Sequence, residues 1–308
     1  MSRCTHRFFW ILVAFPLLQC ETPIDFPEGV RDPELGVISE FTQDRNLEVR
    51  VFEGNFLVGD RETRYIDHAT VTIFQGDSVI DRLVFDGSKA PPSYVSDSFK
   101  PEPNVEYRIR VEAEGYRPVM ATSRVPAQIP IDAIEISSLT IESPDSEDLR
   151  KVSYDVAVSF RDPAQEVNYY HISFLQEVWG NMKDEGGDYF PDGPELRKAA
   201  FVPNGLGDQF IAFGQGGLLF SDDFFDGQTF DNRFSLRFDL LDKEQLGKLN
   251  VELRAVSEEY YLFQTSLALQ GNNPGQPIDD GVSIYNNIEN GRGIFAGYNF
   301  SQASAEVH

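Results

Sequence analysis

The chain has 308 residues, of which 41% are hydrophobic, and a formal net charge of −24. A surface this acidic repels phosphate backbones and anionic headgroups, so nucleic acid is excluded as an expected partner. Only Cys4 and Cys20 are present, so no disulfide framework supports the fold, and a chain of this length must be held by its own core.

Residues 1–19 read as an export signal. Arg3 and Arg7 precede an apolar run from Phe8 to Leu18, which is too short and too interrupted by Pro16 to span a bilayer. Leu17-Leu18-Gln19-Cys20 resembles a bacterial lipobox, which makes Cys20 the expected lipidation site, although Gln19 is larger than the usual residue there. Acyl chains on that thiol would anchor the protein without a membrane helix. Residues 20–45 are rich in proline and acid and read as a tether.

From 46 to 128 the alternation is that of half-buried strands: Leu47, Val49 and Val51; Ala69, Val71 and Ile73; Val79, Leu83 and Phe85; Tyr107, Ile109 and Val111. Turn signals separate them at Gly76-Asp77, Asp86-Gly87 and Glu114-Gly115. The spacing predicts a β-sandwich, and the stretch from Asn104 to Tyr116 looks like the closing hairpin of immunoglobulin-like or transthyretin-like modules. Such modules bind or space more often than they catalyse.

Residues 129–308 read as a second β-rich domain. A strong strand is predicted through Val152, Tyr154, Val156, Val158 and Phe160, a turn at Asp162-Pro163, and a return through Tyr169 to Phe174. Phe234, Leu236 and Phe238 alternate, as do Leu249, Val251 and Leu253. One helix is expected over about 257–270, with Ser257 as N-cap, Glu258 and Glu259 at its positive end, and Tyr260, Phe263 and Leu267 on its apolar face. The fold class is therefore mainly β, with two β-rich domains and one helix near the C-terminus.

Between Gly180 and Gln228 the period is lost among many Gly, Asp and Phe residues. Most of these Phe side chains are expected to plug the core, yet long loops in compact domains are often functional. Aromatic platforms beside Asp and Asn suit sugars or peptides, and Trp179, Tyr189 and Phe190 are the expected ligand-binding residues. Asp222-Asp223-Phe224-Phe225-Asp226-Gly227 fails the EF-hand pattern at Phe224 and Arg233. An irregular calcium site from Asp222, Asp223 and Asp226 is one reading of it, and a plain Asp-Gly turn is the other.

No metalloprotease motif, nucleophile elbow or cysteine nucleophile is present, and His68, His171 and His308 lie far apart in sequence. Catalysis is not expected. Apart from the calcium reading, no cofactor is either.

The C-terminal segment carries a resemblance. Val256-Ser257-Glu258-Glu259-Tyr260-Tyr261, then Asn272-Asn273-Pro274-Gly275, then Tyr285-Asn286-Asn287-Ile288-Glu289-Asn290-Gly291-Arg292-Gly293-Ile294-Phe295-Ala296-Gly297-Tyr298 resembles the closing signature of a Bacteroidota lipoprotein family of unknown function. Its members are usually encoded beside SusC-like TonB-dependent transporters. By analogy with SusD-like lipoproteins, the resemblance implies an outer-membrane lipoprotein facing the cell exterior, serving as accessory or capture subunit to such a transporter or another outer-membrane β-barrel. An adhesin or structural envelope lipoprotein is the alternative. The tail itself reads as a fold-closing element.

Overall fold

The computed structural model describes residues 33–54, 63–142, 149–183, 189–201, 210–213, 217–241, 243–271 and 283–307. Cys20, the expected signal and most of the expected tether lie outside the described residues, as do the side chains of Tyr189 and Phe190.

In chain order the elements are β1 (Leu35–Phe41), β2 (Glu48–Glu53), β3 (Thr70–Gln75), β4 (Ser78–Asp86), β5 (Ser93–Val95), β6 (Glu106–Glu112) and β7 (Val119–Arg124). There follow β8 (Ile131–Glu142), β9 (Leu149–Arg161), β10 (Tyr169–Lys183), β11 (Tyr189–Lys198) and β12 (Ala200–Phe201). The last third adds β13 (Ile211–Phe213), β14 (Gly217–Ser221), β15 (Thr229–Leu241), β16 (Gln245–Val256), helix α1 (Glu258–Gly271) and β17 (Arg292–Glu306). The protein is mainly β.

Thirteen strands join in one sheet, whose path runs β13-β14-β10-β16-β17-β1-β2-β5-β4-β3-β6-β7, with β11 paired to β10 off this path. A second sheet runs β12-β15-β9-β8. The β1 to β7 part of the large sheet closes around a core of Leu35, Val37, Val49, Val51, Val71, Ile73, Ile109 and Val111, to which Phe295 of β17 is added. The second sheet packs face to face on β10, β14 and β16. Tyr154, Val156 and Val158 of β9, with Phe234 of β15, share one core there with Ile172 and Phe174 of β10 and Val251 and Leu253 of β16.

The alternation in β9, β15 and β16 is the cause of this packing, since a period of two sends every second side chain inward. A third cluster lies on the opposite face of the large sheet, where α1 covers Leu219, Val256, Ile294, Ala296 and Tyr298 with Tyr260.

Two findings revise the sequence reading. That reading runs the tether to residue 45, but β1 occupies Leu35–Phe41, with Leu35 and Val37 fully buried. β1 pairs in parallel with β17, from Gly36 against Arg292 to Phe41 against Gly297. Parallel pairing with a strand at the far end of the chain leaves no local signal, so a short apolar run among acids and prolines reads as linker. The second finding concerns β17, which pairs with both β1 and β16 and contributes to two of the cores. Pro33–His308 forms one compact unit.

Candidate functional site

At one end of the second sandwich, the turn after β14 meets the loop between β9 and β10. Asp222 accepts hydrogen bonds from the Asn168 backbone N–H at 2.8 Å and its side-chain amide at 3.2 Å. Asp226 accepts from the Gln165 N–H at 3.0 Å, and Asp162 accepts from the Gly227 N–H at 2.8 Å and from the Tyr170 hydroxyl. Gly227 has φ +68° and packs on Ala164, a conformation and a contact that favour glycine.

These bonds hold Phe224 out at the tip of the turn, where it is 75% exposed. Beside it lies a cleft of about 280 Å³ lined by Phe210, Phe220, Phe224, Phe225 and Phe230, with Gln228, Thr229, Asp231 and Asn232 along its rim. Phe220 and Phe230 stack with centroids 5.1 Å apart, and Phe210 meets Phe220 edge-on at 5.2 Å. The floor is therefore rigid, and Phe224 is the exposed ring of the set. A larger opening of about 370 Å³, lined by Val84, Phe85, Lys89 and Asp97 among others, lies on the first sandwich. It is lined by a single aromatic ring, so the smaller cleft is the stronger candidate.

Among the described residues, Asp162, Asp222 and Asp226 place carboxylate oxygens within 4.8 Å of one another. The sequence reading groups Asp222, Asp223 and Asp226; the structure puts Asp162 in place of Asp223, whose carboxylate instead accepts from the Ser221 hydroxyl at 2.7 Å. Burial pushes the Asp162 carboxyl up, the neighbouring Asp222 and Asp226 charges add to this, and the bonds from Tyr170 and Gly227 oppose it. Three such oxygens could chelate a hard cation. The protein donors already bound to Asp162 and Asp222 account for the burial of both without one.

Trp179 stands half-buried on β10, its indole nitrogen close to Gly247. Tyr189 and Phe190 pair in backbone register with Lys183 and Met182 at the far end of the β10–β11 hairpin. Trp179 lies ten residues along β10 from Tyr169, a span of roughly 30 Å at the usual rise of a strand. The expected ligand residues and the Phe-lined cleft are thus separate places on the molecule. Phe224 is legible in the sequence only as one Phe among many, because its exposure depends on contacts made by Asp162 and Asn168.

A second polar cluster lies between α1 and the sheet. His171 is buried, its Nδ1 3.0 Å from the Tyr260 hydroxyl. Burial, reinforced by the Arg254 and Lys198 charges, pushes its pKa down to about 3, so the ring is neutral. Arg254 donates to Glu252 at 2.6 Å and lies 4.7 Å over the Tyr298 ring. Gln264 donates to Glu40 at 2.6 Å. These groups tie helix to sheet.

No curated protein matches the chain. Solved structures show only remote likeness. A mutant of the CFA/I enterotoxigenic E. coli adhesin CfaE is 7% identical, with 89% of this chain and 87% of that chain covered and a TM-score of 0.19. The B domain of a biofilm associated protein is also 7% identical, with 87% and 85% covered and a TM-score of 0.15. Among family models, the one described as "Domain of unknown function (DUF4249)" matches residues 21–304. The chain belongs to the DUF4249 family.

Proposed function

We propose that this protein is a non-catalytic capture protein of the outer membrane, anchored by lipid at Cys20, facing the exterior, and working beside a SusC-like TonB-dependent transporter or another outer-membrane β-barrel. The observation that carries the reading is Phe224, held in solvent by a hydrogen-bonded turn beside an aromatic cleft. Leaving a Phe ring exposed forgoes roughly 2 kcal/mol of burial, which is recovered when a partner covers it. The lipobox-like segment and the acidic composition support the location.

Copurification from detergent-solubilised outer membrane tests the proposal. A β-barrel recovered in stoichiometric amount supports it, and recovery of the protein alone overturns it. Loss of cell attachment with intact nutrient uptake in a deletion strain would favour the adhesin reading instead.

A further inference from the structure

We propose that the cleft beside Phe224 binds a peptide segment carrying both cationic and apolar side chains; this deepens, and rests on, the reading of the cleft as a capture site. Phe224 is the exposed ring of the lining and offers apolar contact and a π face, with half-buried Phe210 and Phe225 beside it over the buried rings of Phe220 and Phe230. Gln228, Thr229, Asp231 and Asn232 supply polar groups at the rim. The charged group among those at the rim is the carboxylate of Asp231, which favours a cationic ligand over a neutral sugar. An aliphatic side chain fits, and a lysine or arginine beside it meets both ring faces and carboxylates.

The charge around the cleft is complementary to such a ligand. Asp223 and Asp226 are exposed on either side of Phe224, Glu166 is exposed on the facing loop, and Asp231 stands at the rim. Arg161 ends β9 opposite Thr229, and Arg233 lies four residues further along β15 opposite Ala157; the carboxylates outnumber these two cations. Val167, 65% exposed next to Asn168, extends the apolar surface beyond the turn. The site therefore combines an exposed aromatic anchor, a cleft floored by phenylalanine and an anionic rim on two loops joined by hydrogen bonds.

The test uses the full chain and a fluorescein-labelled Lys-Leu alternating hexapeptide, with Glu-Leu and Lys-Ser hexapeptides as controls, read by fluorescence anisotropy. The Lys-Leu peptide is expected to bind at least tenfold more tightly than either control. Phe224→Ser, which leaves net charge unchanged, is expected to weaken it at least tenfold, as is the pair Asp223→Asn and Asp226→Asn. Glu114→Gln, on the remote β6–β7 turn, serves as a charge control and should have no effect. Equal binding of Lys-Leu and Glu-Leu, or Lys-Leu binding unchanged by Phe224→Ser, overturns the proposal. So does a loss in Glu114→Gln as large as in the Asp pair, since that is the response of general attraction to an acidic protein. Peptide binding by a chain that copurifies without a β-barrel would sink the transporter partnership and leave this inference standing.

Discussion

Asp162 receives hydrogen bonds from Tyr170 and Gly227, and its removal would leave a buried hydroxyl and a backbone N–H unpaired. Asp162→Ala is expected to destabilise the protein by about 2–3 kcal/mol in chemical denaturation, and to loosen the turn that presents Phe224. The sequence shows Asp162-Pro163 only as a turn, because its partners lie on β10 and after β14. His171 permits a signed prediction. Its folded pKa is depressed from 6.5 to about 3, so the unfolded chain binds a proton that the fold does not. The corresponding stability is complete above about pH 6.5 and is lost as pH falls from there to about 3, up to roughly 5 kcal/mol in all. Denaturation across that window should show a smaller pH slope in His171→Gln than in the parent chain; equal slopes would contradict the assignment.

Elements with a local period are the most legible. Val152 to Phe160 and Leu249 to Leu253 alternate in sequence and are buried on one side in the structure. The helix is legible from its cap. The Tyr260 N–H donates to the Ser257 hydroxyl at 3.4 Å, and Ser257→Ala should cost about 1 kcal/mol, measured as a shift in the denaturation midpoint. Its buried face is less legible: Tyr260, Gln264 and Ala268 are buried, with Phe263 and Leu267 half-buried. Gln264 belongs there because Glu40 of β1 meets it, and β1 itself is hidden in the apparent tether.

For the molecule as a whole, β17 is the joint on which the large sheet depends. At Gly293, where φ is +118°, an added Cβ would lie 1.9 Å from the Val37 carbonyl oxygen. Gly293→Ala should therefore part β1 from β17 and cost roughly 3 kcal/mol or more, visible as a lowered Tm. Glycines and apolar residues mark the tail as fold-closing, but its parallel register with β1 is not legible, since no short-range pattern specifies a parallel partner. The cleft is lined by one stretch, Phe210 to Asn232, but the turn that presents Phe224 is held by Asp162 and Asn168 from the other side of the β10–β11 hairpin, and the same distance limit conceals that contact.

Photocrosslinking in living cells, from p-benzoylphenylalanine placed at position 224, tests most directly whether this end of the molecule captures a partner. The account predicts an adduct with a β-barrel protein or an extracellular peptide, absent when the probe stands at exposed Val79 on the first sandwich. Equal labelling from both positions, or none from position 224, would contradict it.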